Sequence, residues 1–291
     1  MKKTVITVIV LPVFLVVLAS IYVVKTGTDS AKLGKILNLN FTLVGEAVEF
    51  VVPVEIDSKI VAKWLPEGLQ LAPLGDKHPV LIILTDTDKV SPRFGSLELN
   101  FYPFNLIYKE VTIQVTNVMI SPKDGEKNSN LFSYNAKLYL DDWPAIYYGW
   151  VFYGMPKEYG EMAMSENSFE LVNENTPLLN FLADSSASET IATDHPNFRK
   201  YSQKWELPRI SLMDGEFVCW RGRTAEGKET VYTPIRAQTT LNEKLAEGLA
   251  TMRVHSKGLD EDASGAFKRK VAWEFFQTDC HSSQQSIAAR H

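Results

Sequence analysis

Short apolar stretches that alternate with a period of two, broken by turn residues, limit what this 291-residue chain can fold into. In the run from Leu131 to Leu140, Phe132, Tyr134, Ala136 and Leu138 alternate with mostly polar neighbours. Successive strand side chains point to opposite faces, so this pattern describes a half-buried strand. Comparable signals mark Phe41–Glu55, Val80–Thr85, Leu97–Tyr102, Glu110–Ile120, Pro208–Leu212, Glu216–Trp220, Val231–Ala237 and Lys268–Phe276. The polar stretch Ser121–Asn130 holds Asp124-Gly125 and reads as the loop that turns Glu110–Ile120 back onto Leu131–Leu140.

Helical signals are few. Asp57 is placed to cap a helix over Ser58–Leu65, which Pro66 and Gly68 stop. Trp143–Gly149 reads as a short helix or tight crossing segment, and Lys157 is expected to open another. Thr240-Leu241-Asn242-Glu243 has capping-box form and predicts a helix through Leu249. Asn173–Asn197 is rich in Ser, Thr, Asp and Asn and predicts a surface excursion or a lid. Strands and helices do not alternate, and there are no repeats, heptads or glycine-rich phosphate loops. The expected body is antiparallel and β-rich over residues 41–277, followed by a frayed tail over 278–291.

The N-terminus has its own pattern. Lys2 and Lys3 precede 21 uncharged residues, Thr4–Val24, before Lys25. At about 1.5 Å per residue such a helix crosses a bilayer. Residues 1–25 are therefore expected to form a membrane anchor, with 26–40 as a linker and the body exported, since the positive end stays inside. The alternative is a signal peptide cut at Ser20, with Val17 and Ala19 as the small residues before it, and a secreted product.

Net charge of −5 argues against a nucleic-acid binder, and Lys268-Arg269-Lys270 reads as the solvent side of a strand. Cys219 and Cys280 are compatible with one disulfide in an oxidising compartment, their pairing open. The five histidines have no ligand spacing, so neither a metal nor another cofactor is expected. No Gly-x-Ser-x-Gly is present, and Asp194-His195 lacks an evident serine partner, which argues against a hydrolase.

The candidate chemistry centres on Lys157. It follows Tyr147, Tyr148, Trp150, Phe152 and Tyr153 and a Gly154-Met155-Pro156 turn. A lysine pressed against aromatic surface loses the water that stabilises its charge, and a neutral amine adds to ketones as a nucleophile. The plain alternative is a solvated lysine on a turn.

The segment Asp142-Trp143-Pro144-Ala145-Ile146, then Gly149, then Pro156-Lys157, resembles the lysine segment of the acetoacetate decarboxylase family. Tyr108-Lys109-Glu110 resembles that family's Tyr-x-Glu, and Phe50–Pro66 its N-terminal entry; together these cover roughly residues 45–165. The resemblance implies a cone-like β-barrel with small flanking helices and an apolar cavity, and homo-oligomers are possible. It makes Lys157 the Schiff-base residue, Glu110 the pocket carboxylate, and Tyr108, Tyr148, Trp150 and Tyr153 candidate substrate-binding walls.

The chain departs from the family in three places. Glu158 stands where a second lysine follows the first, Gly149-Trp150-Val151 replaces Gly-Arg-Glu, and the carboxylate-binding arginine would fall near Ala47. No arginine precedes Arg93.

The expected activity is a Schiff-base lyase of decarboxylase, aldolase or dehydratase type. Its substrate would be a small keto acid or other carbonyl compound, and the departures favour a less anionic one. The alternative is a non-catalytic, membrane-anchored barrel that binds a hydrophobic small molecule; pairing of Lys157 with Glu158 or Glu110 would mark it.

Overall fold

A computed structural model describes residues 42–101, 105–121, 130–184, 207–213, 215–228, 230–259, 261–262 and 265–280. The expected anchor, the linker and most of the tail lie outside the described residues. Among the described residues no helix is long and apolar enough to cross a membrane.

The strands are β1 (Thr42–Asp57), β2 (Leu69–Leu71), β3 (Lys77–Phe94), β4 (Leu97–Glu98), β5 (Lys109–Ile120) and β6 (Phe132–Leu140). They continue with β7 (Glu158–Tyr159), β8 (Glu161–Met164), β9 (Ser168–Asn173), β10 (Thr176–Ala183) and β11 (Arg209–Met213). The last are β12 (Glu216–Thr224), β13 (Val231–Pro234), β14 (Ala237–Leu241), β15 (Met252–Ser256) and β16 (Phe267–Thr278). Among the described residues two α-helices, α1 (Ser58–Ala62) and α2 (Trp143–Tyr153), interrupt them.

An 11-stranded sheet follows the order β2-β5-β3-β1-β16-β12-β11-β6-β7, with β13 on β16 and β4 on β3. The further pairing of β5 with β6 closes β5-β3-β1-β16-β12-β11-β6 into a ring. The pairings are antiparallel except β6 with β11 and β6 with β7. A second sheet runs β15-β14-β10-β9-β8. The β-rich antiparallel body is therefore present, with a closed ring as its larger part.

Period two gives each strand of the ring two different faces. On one face Phe50, Val52, Leu84, Ile113 and Phe132 pack with Phe169, Leu171, Phe181 and Leu241 of the second sheet. The Phe50 and Phe181 rings lie 4.7 Å apart. The opposite face carries Leu138, Leu140, Trp220 and Phe275, with Tyr153 and Met155 from around the end of α2 packed onto them. Val51, Leu81, Ile83 and Phe267 form a further apolar patch there. Between these patches sit buried Glu49, Thr112, Gln114, Ser133, Ser211 and Arg269.

Several expectations change in the structure. Strand β3 extends well beyond Val80–Thr85, because it pairs with β1 on one side and β5 on the other along most of its length. That double ladder satisfies the backbone of charged positions as well as apolar ones. Of the expected Leu97–Tyr102 strand, the described residues form only the two-residue β4. Thr240 and Leu241 belong to β14, paired with Arg253 and Met252, so the capping box does not form. Asn242 instead caps a single 3₁₀ turn, Glu243–Leu245.

Part of the expected excursion is sheet. β9 and β10 are joined by Glu174 and Asn175, both at positive φ as a tight hairpin turn requires. The remainder, from 185 on, lies outside the described residues. The middle of Lys268-Arg269-Lys270 points inward, because alternation turns Arg269 to the face opposite its neighbours. Cys219 and Cys280 are bonded, with Cα atoms 5.2 Å apart, so the expected tail is pinned through Cys280.

Asp57 caps α1 as expected, its carboxylate accepting from the Lys59 N–H at 2.7 Å. Near this end of β3, His78 is 1% exposed and its Nε2 lies 2.6 Å from the Thr116 carbonyl oxygen. Burial lowers its pKa below 6.5, against the opposing effect of that hydrogen bond. The unfolded chain therefore binds the proton first, and stability falls as pH drops from the unfolded value toward the folded one. Denaturant unfolding between neutral and mildly acidic pH should show this loss, at most about 1.4 kcal/mol per pH unit from one group. His78→Gln should flatten the profile; parallel profiles for the two proteins would contradict the assignment.

Candidate active site

Two consecutive aspartates build the approach to Lys157. Asp141 accepts the Lys109 backbone N–H at 2.7 Å, which fixes the start of β5 beside Glu110. Asp142 caps α2, accepting from the Ala145 N–H at 3.0 Å, and Pro144 in the first turn gives up no needed donor. The helix ends at Gly154 in the left-handed conformation, φ 57°. A Cβ there would fall 2.1 Å from Met213 Cγ, so glycine is required by space as well as by φ. The Ser211 hydroxyl donates to the Tyr153 carbonyl at 2.8 Å and ties this helix end to β11. Lys157 follows in the connection to β7, not in the further helix expected from sequence.

The Lys157 stem lies across Gly149. A Cβ at Gly149 would stand 2.4 Å from Lys157 Cε and 2.5 Å from Cδ. The lysine side chain is 11% exposed, and Nζ donates to Glu110 Oε2 at 3.2 Å. The other Glu110 oxygen accepts from the Thr112 hydroxyl at 2.8 Å, so the carboxylate is held from two sides. Nζ also lies 5.7 Å from the centre of the Tyr108 ring. Thr87 bonds both backbone groups of Tyr108, its hydroxyl donating to the carbonyl and accepting from the N–H. Burial, reinforced by the Glu110 charge, raises the Tyr108 phenol well above its ordinary pKa and keeps it a neutral donor.

The sequence candidates do not all meet. Lys157, Glu110 and Tyr108 do. Tyr153 is buried and packs on Trp220 and Phe275, with ring centres at 4.6 and 5.7 Å. Tyr148 is half-buried beside Tyr147. Trp150 is 51% exposed, and its indole N–H donates to the Lys157 carbonyl at 3.0 Å, so it secures the backbone from the surface. Glu158 turns away and pairs with Lys137 at 2.6 Å, so its carboxylate does not answer the lysine.

Two arginines and a glutamate on this face escaped the sequence reading. Ala47 is buried between Thr87 and Val271 and supplies no charge, but Glu49, two residues on, pairs with Arg269. Arg209, at the start of β11, sets its guanidinium 5.3 Å from the Phe275 ring centre. Burial lowers its pKa, while the carboxylates of Glu110 and Glu49 act in the opposite sense. These residues come from β11, β5 and β1, which are not neighbours in the ring. Among the described residues no group of three or more His, Cys, Asp or Glu could hold a metal ion.

No protein-family model and no curated protein matches this sequence. Solved structures do match in fold. The enduracididine biosynthesis enzyme MppR, bound to HEPES buffer, aligns at a TM-score of 0.53 and 13% identity over 82% of this chain and 86% of its own. Acetoacetate decarboxylase from Legionella pneumophila aligns at 0.53 and 12% identity, covering 82% and 86%. MppR complexed with pyruvate aligns at 0.52 and 14% identity, covering 84% and 91%. The chain has the acetoacetate decarboxylase-like fold.

Gly149→Ala tests the placement of Lys157. The clash is with the far end of a flexible side chain, and alanine favours a helix by about 1 kcal/mol over glycine, so the fold should persist. The lysine should swing outward and react faster with an amine-labelling reagent, read by peptide mass mapping. Unchanged labelling of Lys157 would contradict the packing.

Proposed function

We propose that the protein is a Schiff-base-forming lyase acting on a small carbonyl compound through Lys157. The carrying observation is the shielded contact between Lys157 Nζ and Glu110 Oε2 at 3.2 Å beside the Tyr108 ring. Passage of the ammonium proton toward Glu110 frees the amine to attack a carbonyl carbon. The resulting carbinolamine loses water and leaves an iminium on Lys157. That cation accepts the electron pair of an adjacent C–C or C–H bond and becomes an enamine, as CO2 or an aldehyde departs or the proton passes to Glu110. Reprotonation at carbon and hydrolysis then return product and free lysine. Glu110 and neutral Tyr108 are the groups placed to move protons. The fold shared with acetoacetate decarboxylase, and with MppR in its pyruvate complex, supports keto acids as the compounds to try first.

The alternative of a hydrophobic binder takes support from the Lys157–Glu110 pair. The composition of the face argues against it. An apolar ligand there would meet the charged groups of Lys157 and Glu110, at several kcal/mol for each ion it leaves unanswered. For location, we propose an exported body carried by the N-terminal apolar run, a reading that a disulfide suits.

Borohydride trapping with β-keto acids, neutral ketones and aldehydes at about pH 8 tests the mechanism. One adduct per chain is expected, mapped to Lys157 and absent in Lys157→Ala. Glu110→Gln should lower turnover of the trapped compounds by roughly 10²- to 10⁴-fold. Failure of every compound to label Lys157 would overturn the reading in favour of the binder.

A further inference from the structure

We propose that the protein carries a second ligand site, on the face of the ring opposite Lys157. Its ligand is a zwitterion whose carboxylate and ammonium are several bonds apart, such as an ω-amino acid or a dipeptide. The inference is independent of the Schiff-base reading.

Alternation places this site. On β1, Val44 and Glu46 share the face of Phe50, opposite Glu49. Their partners, Glu274 and Ala272 on β16 and Ser91 and Lys89 on β3, point the same way. At this end of the ring the face is hollowed into an open cleft of about 530 Å³. Small residues, Val44, Gly45 and Ala272, line its floor, and charged side chains stand on both sides. The β3–β4 hairpin makes one wall, where Glu98 is held by Lys89 and by the Ser91 hydroxyl, which donates at 2.8 Å. The connection from β12 to β13 makes the other. Its Ala225 N–H donates to the Ala272 carbonyl at 2.8 Å, which anchors the stretch carrying Glu226 and Lys228.

Two arginines converge on one carboxylate in this cleft. Arg93 Nη2 donates to Glu274 Oε1 at 2.7 Å, and Arg223 Nε and Nη2 donate to Oε2 at 2.8 and 2.6 Å. The Glu274 side chain is 4% exposed and that of Arg223 58%, so the carboxylate lies beneath and the cation faces outward. The Phe276 ring, 5.3 Å from the Arg223 guanidinium, holds it from a further side. Two guanidiniums on one carboxylate leave a positive charge over and N–H groups to spare, which suit a ligand carboxylate.

The opposite sign is close by. Glu46 is exposed and diagonal to Glu274 across the β1–β16 pairing, a separation of about 7–8 Å. Among the described residues neither it nor Glu226 across the cleft has an ion-pair partner. A ligand carboxylate on the arginine pair brings an ammonium several bonds away within reach of Glu46. An α-amino acid, with both charges on one carbon, is too short for this span. A simple anion is repelled by Glu46 and Glu226, and a simple cation by the arginines and Lys228. A ligand of both signs answers both ends.

Calorimetry on the full chain tests this with glycine, 4-aminobutanoate, 6-aminohexanoate and diglycine beside butanoate and butylamine. At least one of the longer zwitterions should bind about 10-fold or more tightly than glycine and than either singly charged compound. Glu46→Gln, a change at an exposed position, should weaken that ligand about 10-fold without weakening butanoate. Arg223→Gln should weaken both. None of these compounds has a carbonyl, and Lys157→Ala should leave their binding unchanged. Longer zwitterions that fail to bind, or that bind no more tightly than butanoate or butylamine, overturn the site. Undiminished binding in Glu46→Gln overturns it too, as does lost binding in a folded Lys157→Ala. The wild-type series stands even where Arg223→Gln fails to fold.

Discussion

Closing β5-β3-β1-β16-β12-β11-β6 into a ring puts residues from distant strands onto one shared face, and the charges there must answer one another because bulk water does so poorly. This requirement organises much of what surrounds the site. Glu49 and Arg269 are cross-strand partners on β1 and β16 and neutralise each other. Glu110 lies in the same row of cross-strand neighbours, reached through Thr85 on β3. It takes the Thr112 hydroxyl and the Lys157 ammonium. A second sheet on the other face supplies the apolar packing that a ring with so polar a surface lacks.

The helix that carries the lysine toward this face is set by local chemistry. Asp141 and Asp142 act in opposite directions from adjacent positions, one holding β5 and the other starting α2. Gly149 lets the Lys157 stem lie flat on the helix, and Gly154 turns the chain back. The lysine's reach is therefore fixed by two glycines and two aspartates more than by the aromatic run, whose Trp150 faces outward.

Much of this was legible. Strands β1, β5, β6, β11, β12 and β16, the Asp57 cap and the meeting of Lys157 with Glu110 follow from alternation, capping chemistry and the motif resemblance. What escaped did so for physical reasons. Arg269 sits in a basic triplet whose outer members face away from the ring, and only the strand's register shows that the middle one turns in. Arg209 opens a strand where buried Ile210 and Ser211 are followed by exposed Leu212, so its pattern has no clean period. Strand β10 hides at the start of the polar Asn173–Asn197 stretch, since one face of a two-sheet packing suffices to hold it. Thr240 offers its side chain as a cap, but the β14 ladder claims its backbone first.

The account's central claim is that one face of the ring gathers an amine and a proton-handling carboxylate around a single small molecule. A crystal structure of the borohydride-reduced keto acid adduct addresses this most directly. The account predicts density continuous from Lys157 Nζ to the former carbonyl carbon, with Glu110 beside that carbon. An adduct on another lysine, or one on Lys157 whose former carbonyl carbon lies away from Glu110, would contradict it.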